Sequence, residues 1–263
     1  MRTRSVCLDE NSIEGSRHSS SGCIRIGCAG WNVHRGAVEH FIAEGSHLER
    51  YSQVLNCCEI NSSFYRPHKN QTWERWANSV PADFRFSVKA PRTVTHQSRL
   101  NSDVNLLADF LRQITHLGGR LGPVLFQLPP SLEFEDVTAQ NFLALLREKY
   151  MGAVVWEPRH RSWFDDRADR LLKDFRVARV VADPPCVPTA VRPGGTTELA
   201  YFRLHGSPRM YYSSYSEEFL ETLATDLETL PANTSIWCIF DNTASGSAIQ
   251  NAVHLNAKLR GAR

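Results

Sequence analysis

Apolar residues along this chain fall into eight short runs rich in β-branched, aromatic and aliphatic side chains. Most runs break off at a charged or amide residue followed by Gly or Pro. The runs cover residues 24–28, 57–60, 84–88, 124–126, 153–156, 177–182, 199–204 and 235–240, and each reads as a buried strand. Helical spacing fills most of the intervals. Val38, Phe41 and Ile42 space one apolar stripe; Leu106, Leu107, Phe110, Leu111 and Ile114 a second; Phe142, Leu143, Leu145 and Leu146 a third. Residues 165–175 and 216–230 supply further helices, and a last one opens near Gly246 and carries Ala248, Ile249, Ala252, Val253 and Leu255. This βαβα order predicts a parallel sheet covered by helices, and eight units predict an α/β fold of the (β/α)8 TIM-barrel type. One connection departs from the pattern. Residues 184–198 contain four prolines and two glycines, so an irregular loop replaces the helix between strands six and seven.

The 263-residue length suits one such barrel, a fold that typically takes about 250 residues. Residues 1–22 are polar and Ser-rich and read as a mobile extension, leaving residues 23–263 as a single domain. No stretch has the apolar core of a signal peptide or the length of a membrane span, which predicts a soluble, cytoplasmic protein without a membrane partner. The seven cysteines include no CxxC pair, which fits reduced thiols better than a disulfide framework or zinc ribbon. A net charge of +2 does not demand a nucleic-acid partner.

In a barrel of this kind the polar residues just beyond the strands converge at one mouth. Strand one ends in Gly30-Trp31. Strand two runs through Glu59, Asn61 and Tyr65, and period two places Glu59 and Asn61 on one face, with Cys58 and Ile60 on the other. A carboxylate facing inward needs a cation, and Lys89 and Arg203 are the obvious partners. Lys89 closes strand three. A depressed pKa would let it form a Schiff base, but the weightier reading pairs it with Glu59, since a carboxylate stabilises the charged form. Strand four ends in Gln127, which suits ligand orientation. Strand five ends in Glu157, Arg159 and His160, a set able to clamp an anion and move a proton. Strand six ends in Asp183. Strand seven ends in Arg203 and His205 on one side, and strand eight in Asp241-Asn242 before a helix start.

Taken in order, Gly30-Trp31, Glu59-Ile60-Asn61-Ser62-Ser63-Phe64-Tyr65, Phe86-Ser87-Val88-Lys89, Thr95-His96, the segment 122–130, Glu157-Pro158-Arg159-His160 with Trp163, Arg203-Leu204-His205-Gly206, and Asn242 with Asn251-Ala252 resemble the YecE-like family, known as domain of unknown function 72. The resemblance covers about residues 24–260. It implies a TIM-type barrel and brings no established activity. The chain departs from the family pattern at Ser63, where threonine is usual, at residues 32–36, where a tyrosine and a second tryptophan are usual, and at Asp241, where asparagine is usual.

These residues suggest an enzyme acting on a phosphorylated or nucleotide-like ligand. Glu59, Glu157, Asp183 and His205 are its candidate catalytic groups, and Trp31, Asn61, Tyr65, Lys89, Gln127, Arg159, His160, Arg203 and Asn242 its candidate ligand contacts. Metal-assisted phosphodiester hydrolysis is the sharper version. His96, His160 and His205 would then approach one another, although no HxH or HxxxH spacing announces a divalent metal and no metal ligand is assigned. The alternative is a non-catalytic nucleotide-, RNA- or sugar-binding barrel in which Trp31, Tyr65 and Trp163 stack on the ligand. Catalysis requires a carboxylate or histidine with spare hydrogen-bonding capacity, whereas a structural cluster requires complete pairing. No protein partner is implied.

Overall fold

A computed structural model of the chain describes residues 23–101 and 103–261; the extension expected at 1–22 lies outside them. The first strands are β1 (Ile24–Ala29), β2 (Cys57–Ile60), β3 (Arg85–Lys89), β4 (Leu121–Gln127) and β5 (Val154–Glu157). They pair in parallel in that order. The sixth run, expected as one strand, is split into β6 (Val177–Arg179) and β7 (Val181–Asp183). The first half pairs with β5, and the second half pairs with β9 (Leu199–Leu204). Val180 stands at the break and donates its amide to Trp156 of β5. β8 (Gly194–Gly195) is a short antiparallel addition to β6, and β10 (Ser235–Phe240) lies between β9 and β1. The result is an α/β fold built on a curled sheet of ten strands rather than eight uninterrupted ones.

Five of the seven described α-helices follow the expected positions closely: α3 (Val104–Ile114) follows β3, α4 (Asp136–Lys149) follows β4, α5 (Asp166–Asp174) follows β5, and α6 (Glu217–Glu228) and α7 (Ser247–Gly261) follow β9 and β10. α2 (Asn70–Asn78), which precedes β3, was not expected. Between β7 and β9 there is only a 3-10 turn and β8, as the prolines require. The first stripe is a correction. Residues 35–40 form a 3-10 turn, followed by the short α1 (His47–Ser52). Ala37 and Phe41 face the core there, while Val38 and Ile42 are exposed, because the turn ends at Phe41 in extended backbone and never completes an α-helical face.

Strand alternation sorts the core into two parts. Cys58, Ile60, Phe86, Val88 and Phe126 pack outward under the helices. Cys57, Leu125, Val155, Tyr201, Trp237 and Ile239 fill the concave inner face. Continuing the same period to the strand ends sends Glu59, Ser87, Lys89, Gln127, Glu157, Arg203 and His205 inward. Tyr201 of β9 reaches Glu59 of β2 with its hydroxyl at 2.9 Å, although two strands separate them in the sheet. That contact is available only because the sheet curls.

Candidate functional site

Arg203 occupies the centre of the inner face and is 0 % exposed. Its Nε and Nη2 donate to both oxygens of Glu59 at 3.0 and 2.7 Å, Nη1 donates to Glu157 at 2.7 Å, and Nη2 also reaches Asp241 at 2.9 Å. Burial alone would lower the Arg203 pKa, but the three carboxylates outweigh it and hold the charge firmly. Glu157 accepts on its other oxygen from Gln127 at 3.0 Å, Arg159 at 2.8 Å and His205 at 2.9 Å. Burial would raise this carboxyl; Arg203, His205 and Arg159 instead push it well below the usual range.

His205 lies between two carboxylates, with Nε2 on Glu157 and Nδ1 3.0 Å from Asp241. Donation to both acids takes a proton on each nitrogen, which favours the imidazolium, while Arg159 Nη1 also stands 3.1 Å from Nε2. Its pKa is accordingly raised, against the burial that would depress it. Asp241 is lowered, because Arg203 and His205 overcome its own burial. The cluster is therefore saturated. Glu59, Glu157 and Asp241 are matched by Arg203, His205 and Arg159.

Lys89 is the exception, and it corrects the expected Glu59–Lys89 pair. No carboxylate lies within 4.0 Å of its ammonium among the described residues. Nζ instead lies 4.3 Å over the Phe64 ring. The register explains why: Glu59 stands opposite Ser87, so Lys89 is one inward-facing layer nearer the mouth. Burial, then Arg203, lowers its pKa despite the more distant carboxylates. Beside it, Asn61, the residue just after β2, has a buried side-chain oxygen lacking a partner. Ser63 bonds the main-chain oxygen of Lys89 at 2.7 Å, tying these two strand ends together.

The remaining candidates separate into rim and scaffold. Arg159 is 17 % exposed at the rim, where its Nη2 lies 3.9 Å from the Met210 sulfur. Tyr65 is 72 % exposed. Trp31 packs edge-on against Trp76 and Phe86 and lines a cavity of about 300 Å³ with His34, Thr243 and the start of α7. Gly246, at φ +80°, lets His34 approach so closely that a Cβ would meet the ring at 2.4 Å. Asp183 accepts from Tyr215 at 2.6 Å, and Asn242 donates to Ser213 and Asn251 at 2.9 Å each. Both thereby anchor the 206–215 segment, which lays Tyr211 edge-on to His205.

His160 caps the turn at 161–164, while His205 is held by the cluster and His96 bonds Thr95, so the three histidines take separate partners. No group of three or more His, Cys, Asp or Glu among the described residues is arranged to hold a metal. Trp163 is 1 % exposed, with its indole donating to Leu132, and has no face for a ligand. Tyr201 and Ser87 were not anticipated in the cluster, although Tyr201 is two residues from Arg203 and shares its face. The contribution of Tyr215 had no local sequence signal.

Fold and site together define an α/β protein with a curled parallel sheet and a saturated ion cluster at the C-terminal ends of its strands. The profile of the family described as Protein of unknown function DUF72 matches residues 25–263, and the chain belongs to that family. It is 27 % identical to UPF0759 protein YunF of Bacillus subtilis over 263 residues, covering 87 % of this chain and 92 % of that one. Against UPF0759 protein YecE of Escherichia coli K12 it is 32 % identical over 142 residues, and the match spans about half of each chain, 52 % in both cases. A DUF72 family protein from Thermotoga maritima superposes with a TM-score of 0.75 at 26 % identity, over 90 % of this chain and 99 % of that one. One from Enterococcus faecalis reaches 0.77 at 19 % identity, over 90 % and 96 %. No described helix is long and apolar enough to cross a membrane.

Proposed function

We propose that this chain binds a small phosphorylated ligand at the mouth of its sheet, with Lys89 meeting the anion and Arg159 beside it at the rim. The observation supporting this is the charge balance: three carboxylates are already matched by Arg203, His205 and Arg159, and Lys89 is a fourth cation with no carboxylate within 4.0 Å among the described residues. A bound anion would supply the missing counter-charge in a site of reduced dielectric, where charge-assisted bonds are strongest. Taking β6 and β7 as one strand interrupted at Val180 turns the sheet into an eight-position ring of the (β/α)8 type, whose C-terminal mouth is the usual ligand site.

Saturation of Glu59, Glu157 and His205 favours a positioning role for them over acid–base chemistry. Metal-assisted hydrolysis has no supporting donor group among the described residues. A nucleotide would be accepted through its phosphate. The six described cysteines are unpaired, which fits the reducing cytoplasm this reading assumes. Calorimetric titration with inorganic phosphate, pyrophosphate and AMP tests the proposal. At least one should bind, with affinity falling at higher salt and lost in K89M; no binding of any of the three at millimolar concentration would refute it.

A further inference from the structure

We infer that Lys89 forms a covalent imine with an aldehyde or ketone carried by the anionic ligand. This rests on the ligand-binding reading of the mouth and names the chemistry of that ligand. The chain has five lysines. Lys69, Lys149 and Lys173 are exposed and Lys258 pairs with Glu217 and Glu221, while Lys89 alone is buried, at 7 % exposure. An imine needs an amine that can lose its proton, and a carboxylate in contact would prevent that. Lys89 has none within 4.0 Å among the described residues, and Arg203 beneath it disfavours a further positive charge. The adjacent buried oxygen of Asn61 has no partner and is an acceptor for a ligand hydroxyl.

The chemistry also needs a proton carrier. His96 flanks the same Phe64 ring as Lys89, with ring centroids 5.0 Å apart and the ammonium at 4.3 Å. Its Nδ1 is engaged by the Thr95 hydroxyl at 2.9 Å, leaving Nε2 to exchange protons. The Lys89 ammonium, which meets the anion as a cation, first passes one proton to His96; its neutral nitrogen then attacks the carbonyl carbon, forming the C–N bond while the C=O π pair moves to oxygen. The nitrogen gives up one proton and the oxygen gains one, giving a carbinolamine. A further proton, delivered through His96, lets the C–O bond break and water depart as the nitrogen lone pair closes the C=N bond. The product is a protonated imine plus water. Its positive charge is balanced by the ligand's own anionic group and faced by the Phe64 ring.

The test is reductive trapping with sodium cyanoborohydride, using glyceraldehyde 3-phosphate and unphosphorylated glyceraldehyde as probes, followed by peptide mass mapping. The phosphorylated probe should label Lys89 first and at least tenfold faster than the other four lysines, and inorganic phosphate should slow the labelling. K89R, which has no amine able to form an imine, should yield no adduct at that position. H96N should slow trapping by roughly tenfold or more. Labelling spread evenly over the lysines, or none at Lys89 while phosphate still binds, would overturn the imine and leave the binding reading standing. Absence of binding by inorganic phosphate, pyrophosphate and AMP alike would overturn the binding reading and, with it, this inference.

Discussion

Replacing Arg203 by methionine removes the one guanidinium that touches all three buried carboxylates. Glu59 loses both of its arginine contacts and keeps only the Tyr201 hydroxyl, in a position 0 % exposed. Removing one member of a buried ion pair costs about 3–5 kcal/mol, because the other charge is left uncompensated. The four contacts share this cost rather than multiplying it, since they belong to one network. For a 263-residue chain the unfolding entropy is roughly 2.1 cal/mol/K per residue, so the thermal midpoint should fall by roughly 5–9 °C. Urea unfolding followed by circular dichroism measures the loss. The double variant E59Q/R203M, with the stranded charge gone, should recover at least about 1 kcal/mol. A loss below about 1 kcal/mol in R203M, or no recovery in the double variant, would show that the cluster does not depend on this pairing.

Lys89→Met removes the unmatched cation and should leave stability unchanged or slightly higher by the same urea assay, the opposite of R203M. His205 has a raised pKa in the fold, so its contribution is fully present below 6.5 and fades as pH rises through the folded value; the midpoint advantage of the wild type over H205Q should shrink from pH 6 towards pH 9. Glu157 and Asp241 are depressed, so their contribution is present above the ordinary carboxylate range and lost on acidification, giving a falling midpoint below about pH 4. Tyr215→Phe removes the hydroxyl that bonds Asp183 and accepts from Gly206, and should cost about 1–3 kcal/mol and hasten proteolytic cleavage within 206–215.

Period-two alternation made most of the inner face legible: Glu59, Glu157, Arg203 and His205 are the inward residues at their strand ends, and they do meet. Alternation gives the face but not the height. The Glu59–Ser87 register lifts Lys89 one layer above the acid it was expected to pair with, and no single strand's sequence contains that offset. The break at Val180 was hidden for a similar reason, because residues 177–182 are continuously apolar up to Asp183 except for Arg179 and their change of partner strand is a property of the curled sheet. Asp183 and Asn242 looked like ligand groups because they sit at strand ends. Tyr215 and Asn251, which claim them, lie more than one element away or beyond a turn. The loop at 184–198 was legible because proline chemistry is local.

The decisive measurement is a titration of the five lysine side chains by NMR, with the Lys89 signal assigned through K89R, in the absence and presence of pyrophosphate. Lys89 should titrate below the ordinary 10.5 in the free protein and move upward when pyrophosphate binds, while the other four lysines stay where they are. A Lys89 that titrates at 10.5 or higher without ligand, or ignores pyrophosphate, would mean that its charge is already compensated and that the mouth holds no vacancy for an anion.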